Sequence, residues 1–288
     1  MSRKALFVAC AWIAFAVSAP ATDHFFDSNG VRIHFRMEGK GEPVVLIHGL
    51  MGTTWNWGPF FDTLAADYQA IALNCRGSGK SEKPHQPSQY GMEMVADVVR
   101  LLDHLKIKKA HVVGSSMGAA IATKLLEVRP DLLLTVTLLA GASVPNPDTE
   151  FINALAESIE QGKGLGPIMR KLTPAGRTAP SEEQIRRSVE MVAKADPTAV
   201  AAKVRGSKAW AVDYAKLSSG AVPVHAIIGE LDPFKSEVDG LVPVIPHLKV
   251  TVIKGAGHGA FDRPEAQKSL MEFLAVQRAA AKTDAAPR

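Results

Sequence analysis

The residues best suited to chemistry lie in Val112-Val113-Gly114-Ser115-Ser116-Met117-Gly118. An apolar run leads into a serine with a glycine two residues to either side, and a helix-forming run follows, so the serine stands where a strand turns sharply into a helix. Such a turn forces the backbone into a strained conformation and lifts the hydroxyl above the sheet, while the glycines remove side chains that would collide there. The helix near Met117 turns its amino end toward that hydroxyl, and its partial positive charge favours a developing oxyanion. Capping alone would account for a serine here, and Ser115 would serve as well. Ser116 as a nucleophile therefore depends on partners elsewhere.

A serine hydroxyl is a weak nucleophile at neutral pH and needs an adjacent base, itself oriented by a third group. Among nine histidines, His258 in Gly255-Ala256-Gly257-His258-Gly259-Ala260 follows a late strand signal in a loop of small residues, which lets an imidazole reach across the sheet edge. His34, His104 and His111 lie in or beside ordinary elements, and His85 and His247 neighbour prolines. For the acid, Asp232 follows Ile227-Ile228-Gly229-Glu230-Leu231 directly after a strand, where a carboxylate could bond the imidazole and stabilise its charged form. Glu230 and Asp148 are the fallback acids.

These residues need a sheet to hold them. Phe25-Phe26 and Val31 to Phe35 flank Asn29-Gly30 and predict an opening hairpin. Strand-like runs then alternate with helical ones: Val44 to Ile47, a helix near Trp55 to Ala66, Ala70 to Leu73, a helix near Met92 to Leu105, His111 to Val113, a helix near Met117 to Val128, and Leu132 to Leu139. Alternation of this kind predicts an α/β protein with a mostly parallel twisted sheet of about eight strands and helices on both faces. It breaks near Pro145-Asn146-Pro147-Asp148, and residues 144–220 read as a helical lid inserted after the sixth strand. Stripes of Phe151, Ile152, Leu155 and Ile159, and of Ile185, Val189 and Val192, supply its helices. The core resumes at Val224 to Ile228 and Leu248 to Ile253 and ends with a helix near Pro264 to Val276. The core thus comprises 22–143 and 221–278, and 279–288 reads as a mobile tail.

At the amino terminus, Arg3-Lys4, the apolar run Ala5 to Val17 and Ala19-Pro20-Ala21 match a secretory signal peptide over 1–21, with export to the periplasm or beyond as the expectation. The run is shorter than the roughly 20 residues of a spanning helix. Membrane contact would then come only through the lid or an uncleaved signal. A net charge of +4, spread among acids, does not indicate nucleic-acid binding. Cys10 and Cys75 are the only cysteines, and loss of the first leaves no internal disulfide. Neither Gly77-Ser78-Gly79 nor Gly162-Lys163-Gly164-Leu165-Gly166 carries the full phosphate-binding fingerprint, and no Cys/His spacing suggests a metal. No cofactor is expected. Oligomeric state is not legible.

The order Ser116, Asp232, His258 resembles the lid-bearing serine-hydrolase branch of the α/β-hydrolase superfamily over nearly all of residues 25 to 277. His48-Gly49-Leu50-Met51-Gly52 after the third strand and Arg76-Gly77-Ser78-Gly79-Lys80-Ser81 after the fourth extend the match. The resemblance implies an oxyanion held by the backbone N–H groups of Leu50 and Met117, with His48 shaping its loop. Asn74 departs from the aspartate that relatives often carry there, which bears on local hydrogen bonding. The resemblance further implies carboxylic ester hydrolysis through an acyl-enzyme, and serine at 116 disfavours the dehalogenase and epoxide-hydrolase branches, which use a carboxylate nucleophile. One rival is carbon–carbon hydrolysis of a diketone-like acid, with a lid arginine such as Arg170 or Arg177 on the substrate carboxylate. Another is a ligand-binding protein on a hydrolase scaffold. Phe151, Leu155 and Trp210 are expected to shape the pocket of a small ester-like substrate.

Overall fold

Within the third strand, β3 (Pro43–Ile47), Val45 and Ile47 face one apolar core while Val44 and Leu46 face the other. Successive strand side chains point to opposite faces, so a strand covered on both sides reads as an unbroken apolar run. The same logic holds for β4 (Gln69–Leu73), β5 (Ala110–Ser115), β6 (Leu133–Leu139) and β7 (Val224–Gly229), all largely buried. The computed structural model describes residues 22–284, so the expected signal segment lies outside the described residues.

The sheet has eight strands in the order β1-β2-β4-β3-β5-β6-β7-β8, with β1 (Thr22–Asp27), β2 (Arg32–Glu38) and β8 (Lys249–Ile253) completing the set. Pairings from β4 to β8 are parallel, and β1–β2 and β2–β4 are antiparallel. Asn29 and Gly30 turn the opening hairpin with φ of 58° and 79°, the left-handed conformation that makes Asn-Gly suitable. Helices α1 (Gly58–Ala65), α2 (Met92–His104) and α3 (Met117–Val128) follow the order read from the sequence. From β3 the chain steps to one side to form β4 and to the other to form β5, which opens a crevice at their carboxyl ends. Loops 48–52 and 114–118 meet at that crevice.

Between β6 and β7 come five helices: α4 (Thr149–Glu160), α5 (Gly166–Lys171), α6 (Glu182–Lys194), α7 (Pro197–Gly206) and α8 (Tyr214–Ser218). Ile152, Leu155, Ile159, Val192, Val200 and Val204 give this insertion an apolar core of its own. After β7 a short helix, α9 (Lys235–Leu241), buries Val238 and Leu241. The last helix, α10 (Pro264–Asp284), runs past residue 278 into the segment read from the sequence as a tail. Ala279, Ala280, Ala281 and Lys282 are strong helix formers with no breaker among them, so the helix continues through them.

One buried ion pair locks the hairpin to the sheet. The Arg76 guanidinium donates to both oxygens of Asp97 on α2, at 2.7 and 2.6 Å, and the Ser28 hydroxyl between β1 and β2 donates to the same carboxylate at 2.5 Å. Arg76 also reaches the Gln89 carbonyl at 2.6 Å. Both charges are almost fully buried, and the bidentate geometry with added bonds is what makes such burial tolerable.

Candidate active site

Ser116 stands between β5 and α3 with φ 53° and ψ −111°, a conformation that side-chain-bearing residues rarely adopt. Its backbone N–H donates to the Leu139 carbonyl at 2.7 Å, which pins the turn to β6. The flanking glycines are sterically required. A Cβ at Gly114 would lie 2.1 Å from the Gly118 carbonyl oxygen, and one at Gly118 would lie 2.1 Å from that of Ile47.

The carboxyl ends of three strands converge on this hydroxyl. Ser116 Oγ lies 2.9 Å from His258 Nε2, and His258 Nδ1 lies 3.0 Å from Asp232 Oδ2. A buried carboxylate only accepts, so Nδ1 carries the proton and Nε2 turns its lone pair to the serine hydroxyl. Asp232 is buried, and its other oxygen accepts from the Phe234 backbone N–H at 3.0 Å. The Phe234 ring packs edge-on to the imidazole, with centroids 5.4 Å apart. Sequence reasoning did not single out Phe234, although the strand-end loop that yields Asp232 contains it. Proton transfer from hydroxyl to imidazole, with the carboxylate steadying the resulting cation, is the chemistry this line permits.

Leu50 lies in the loop after β3, and Met117 follows Ser116 in the chain. Met117 opens α3, so its N–H has no acceptor within the helix. The Leu50 loop touches the elbow, for a Cβ at Gly49 would lie 3.5 Å from the Ser116 Cβ. His48 sets that loop: its Nδ1–H donates to the Gly49 carbonyl at 2.7 Å, and its Nε2 accepts from the Cys75 N–H at 3.1 Å. Full burial lowers its pKa to about 3, so it is neutral and both nitrogens are committed to shaping the loop.

Two cavities share Ser116, Leu50 and Ile168 in their walls. One, ≈ 210 Å³, runs between α3 and the insertion, past Met117, Phe151, Leu155 and Trp210. The other, ≈ 460 Å³, lies beside His258 and is lined by Trp57, Met169, Met191 and Phe261. Arg170 and Arg177 border neither and are exposed, which corrects their candidacy as binders of a substrate carboxylate. The basic groups at the first cavity are Lys171 and Lys203. Burial raises Glu237, in the same wall, to about 7.

The fallback acids have other tasks. Asp148 caps α4 by accepting from the Phe151 N–H at 2.9 Å and pairs with Lys171, and Glu230 accepts from the Gly255 N–H at 2.8 Å. Asn74 is buried, accepting from the Thr54 N–H at 2.7 Å and donating to His34 Nδ1 at 2.8 Å. That leaves His34 Nε2–H to donate to Asp23 at 2.8 Å. Asparagine thus fits this network as a donor, which a carboxylate could not be. No metal-binding cluster of His, Cys, Asp and Glu occurs among the described residues, and none of their helices is long and apolar enough to cross a membrane.

The family model for the alpha/beta hydrolase fold matches residues 42–162. Over 142 residues the chain is 37% identical to the dihydrolipoyllysine-residue acetyltransferase component of the acetoin cleaving system of Cupriavidus necator, covering 47% of this chain and 38% of that one. It is 34% identical over 129 residues to epoxide hydrolase 3 of Siraitia grosvenorii, covering 44% of this chain and 41% of that protein. The chain therefore spans less than half the length of these curated relatives. Among solved structures, MGS-M2, an alpha/beta hydrolase enzyme from a Medee basin deep-sea metagenome library, superposes with a TM-score of 0.73 at 18% identity, over 89% of this chain and 97% of that one.

Proposed function

We propose that this chain, which has the alpha/beta hydrolase fold, is a serine hydrolase that cleaves a carboxylic ester through an acyl-enzyme. The observation that carries this reading is the unbroken hydrogen-bonded line from Ser116 through His258 to Asp232 at a cavity wall. His258 withdraws the hydroxyl proton as Ser116 attacks the carbonyl carbon, and Asp232 stabilises the imidazolium. The N–H groups of Leu50 and Met117 hold the oxyanion, and loss of one such donor costs about 3 to 4 kcal/mol of transition-state stabilisation. His258 then returns the proton to the departing alcohol, and water repeats the attack on the acyl-enzyme. Because His258 borders only the larger cavity, the alcohol leaves on that side and the acyl group occupies the smaller one.

Epoxide opening, the activity in one relative's name, fits these residues poorly. A serine that attacked an epoxide carbon would form an ether, which water does not cleave under mild conditions. No tyrosine lines either cavity to protonate the epoxide oxygen. Carbon–carbon hydrolysis of a diketone-like acid is the second reading, favoured by the buried lysine in the acyl cavity. A serine-directed phosphonate probe tests the covalent step. Labelling of the wild type, lost in Ser116→Ala, is the expected result. Unlabelled but folded wild type that still binds ligand would leave only a scaffold. A panel of esters assayed beside a ring-cleavage diketone separates the two hydrolytic readings.

A further inference from the structure

We propose that the ester substrate carries a carboxylate on its acyl portion and that Lys203 binds it, an inference that rests on the serine-hydrolase reading and names its substrate class. Lys203 is 1% exposed, yet it forms part of the acyl-side wall along with Ser116, Met117 and Leu155. Its ammonium contacts only neutral oxygens: Ser78 Oγ at 2.6 Å, the Gly77 carbonyl at 3.0 Å and the Leu50 carbonyl at 3.4 Å. No carboxylate pairs with it among the described residues.

A buried cation without an anion is costly, and three neutral acceptors recover only part of the lost hydration. Tying α7 to the two loops beneath it would not require a charge. The chain nonetheless builds a seat for this one. At Gly77, with φ 74°, an added Cβ would lie 2.6 Å from the Tyr90 hydroxyl and 3.0 Å from Lys203 Cε, so the glycine leaves room for the lysine stem alongside the Tyr90 ring. The other charges at this cavity are already accounted for. Lys171 pairs with Asp148 and lies over the Phe151 ring, and burial raises Glu237 to about 7, which leaves it only half ionised at pH 7. Lys203 is left as the uncompensated charge. Its longest bond, to the Leu50 carbonyl, is the one an incoming oxygen displaces most easily.

The groups facing Lys203 are the Cys75 thiol, neutral His48 and, farther off, Lys83. Burial lowers the lysine to about 8, so it remains mostly charged at pH 7 and loses its charge above about 8. The attraction for an anion then falls with rising pH, whereas a neutral ester has no such term.

The test compares 1-naphthyl half-esters of glutaric and adipic acids with neutral 1-naphthyl valerate and hexanoate on the full chain. The wild type is expected to favour the half-esters about 20-fold in kcat/KM, the gain of one charge-assisted contact. That preference should decline above pH 8, and free adipate should compete with the neutral ester. In Lys203→Met the ratio of half-ester to neutral ester should approach one. A loss shared equally by both substrates would show that Lys203 only braces the loops, and would overturn the proposal. Should Lys203→Met fail to fold, the wild-type preference, its pH profile and adipate competition decide the matter. Neutral-ester turnover with phosphonate labelling but no anion preference sinks this proposal and leaves the ester reading standing. Turnover of a ring-cleavage diketone acid with no action on half-esters overturns both.

Discussion

At Gly114 and Gly118, around Ser116, an added Cβ would lie 2.1 Å from a backbone oxygen, whereas at Gly162 and Gly176 in the insertion it would meet nothing within 4 Å. The elbow is dictated by backbone against backbone, which leaves one residue type at each position. The insertion is held mostly by side chains meeting in a small apolar core, a demand many sequences satisfy, with Gly164 against the Val189 backbone as the exception. In the reaction proposed above, the difference separates the tasks: the core holds Ser116, His258 and Asp232, and the insertion contributes cavity walls and Lys203.

The sharpest way to break that division lies in the core. Asp232→Asn removes the acceptor that fixes the His258 tautomer and is expected to lower kcat about 10⁴-fold with KM little changed, read from steady-state ester hydrolysis. A change of less than tenfold would detach Asp232 from the chemistry. Gly118→Ala should then cost about 3 kcal/mol or more, because the clashing atom is backbone and cannot rotate away. Gly176→Ala in the insertion pays only for its φ of 78°, about 1 to 2 kcal/mol. Urea unfolding of the pair measures both, and equal losses would erase the contrast.

Acid should also act on the core. Burial depresses His48 to about 3 and His225 to about 4, and lowers His34 and His111 as well. With folded pKa values below the ordinary 6.5, these histidines are neutral in the native state and take up protons on unfolding. Stability is therefore fully present above pH 6.5 and falls as pH drops toward 4. Each histidine that remains neutral should cost about 2 kcal/mol between pH 7 and pH 5. The midpoint of urea unfolding at the two values checks this, and an unchanged midpoint would refute it.

How far the sequence could be read follows the same boundary. Gly114-x-Ser116-x-Gly118 and Asn29-Gly30 were legible because the backbone permits few alternatives there. Lys203 was not. Its helix begins with Asp196 as the capping residue and Pro197 in the first turn, a readable start signal that says nothing of what the lysine meets. Apolar and small neighbours on nearly every side, in Ala199-Val200-Ala201-Ala202-Lys203-Val204, also marked a helix buried all round. Which atoms would greet the ammonium depended on loops 125 or more residues away, a relation no local pattern encodes. Arg170 and Arg177 misled for the converse reason, since a basic residue near a pocket in sequence need not face it.

The knot of Ser28, Arg76 and Asp97 bears on the order in which the chain assembles. The amino-terminal hairpin emerges first, yet its docking point on Asp97 and Arg76 exists only once the fourth strand and second helix are in place. Until then the guanidinium and carboxylate have no dry cleft to enter, and the outer edge of β2 has no neighbour to complete. A truncation that removes the hairpin therefore exposes the edge of β4 and opens the Arg76–Asp97 pair to water.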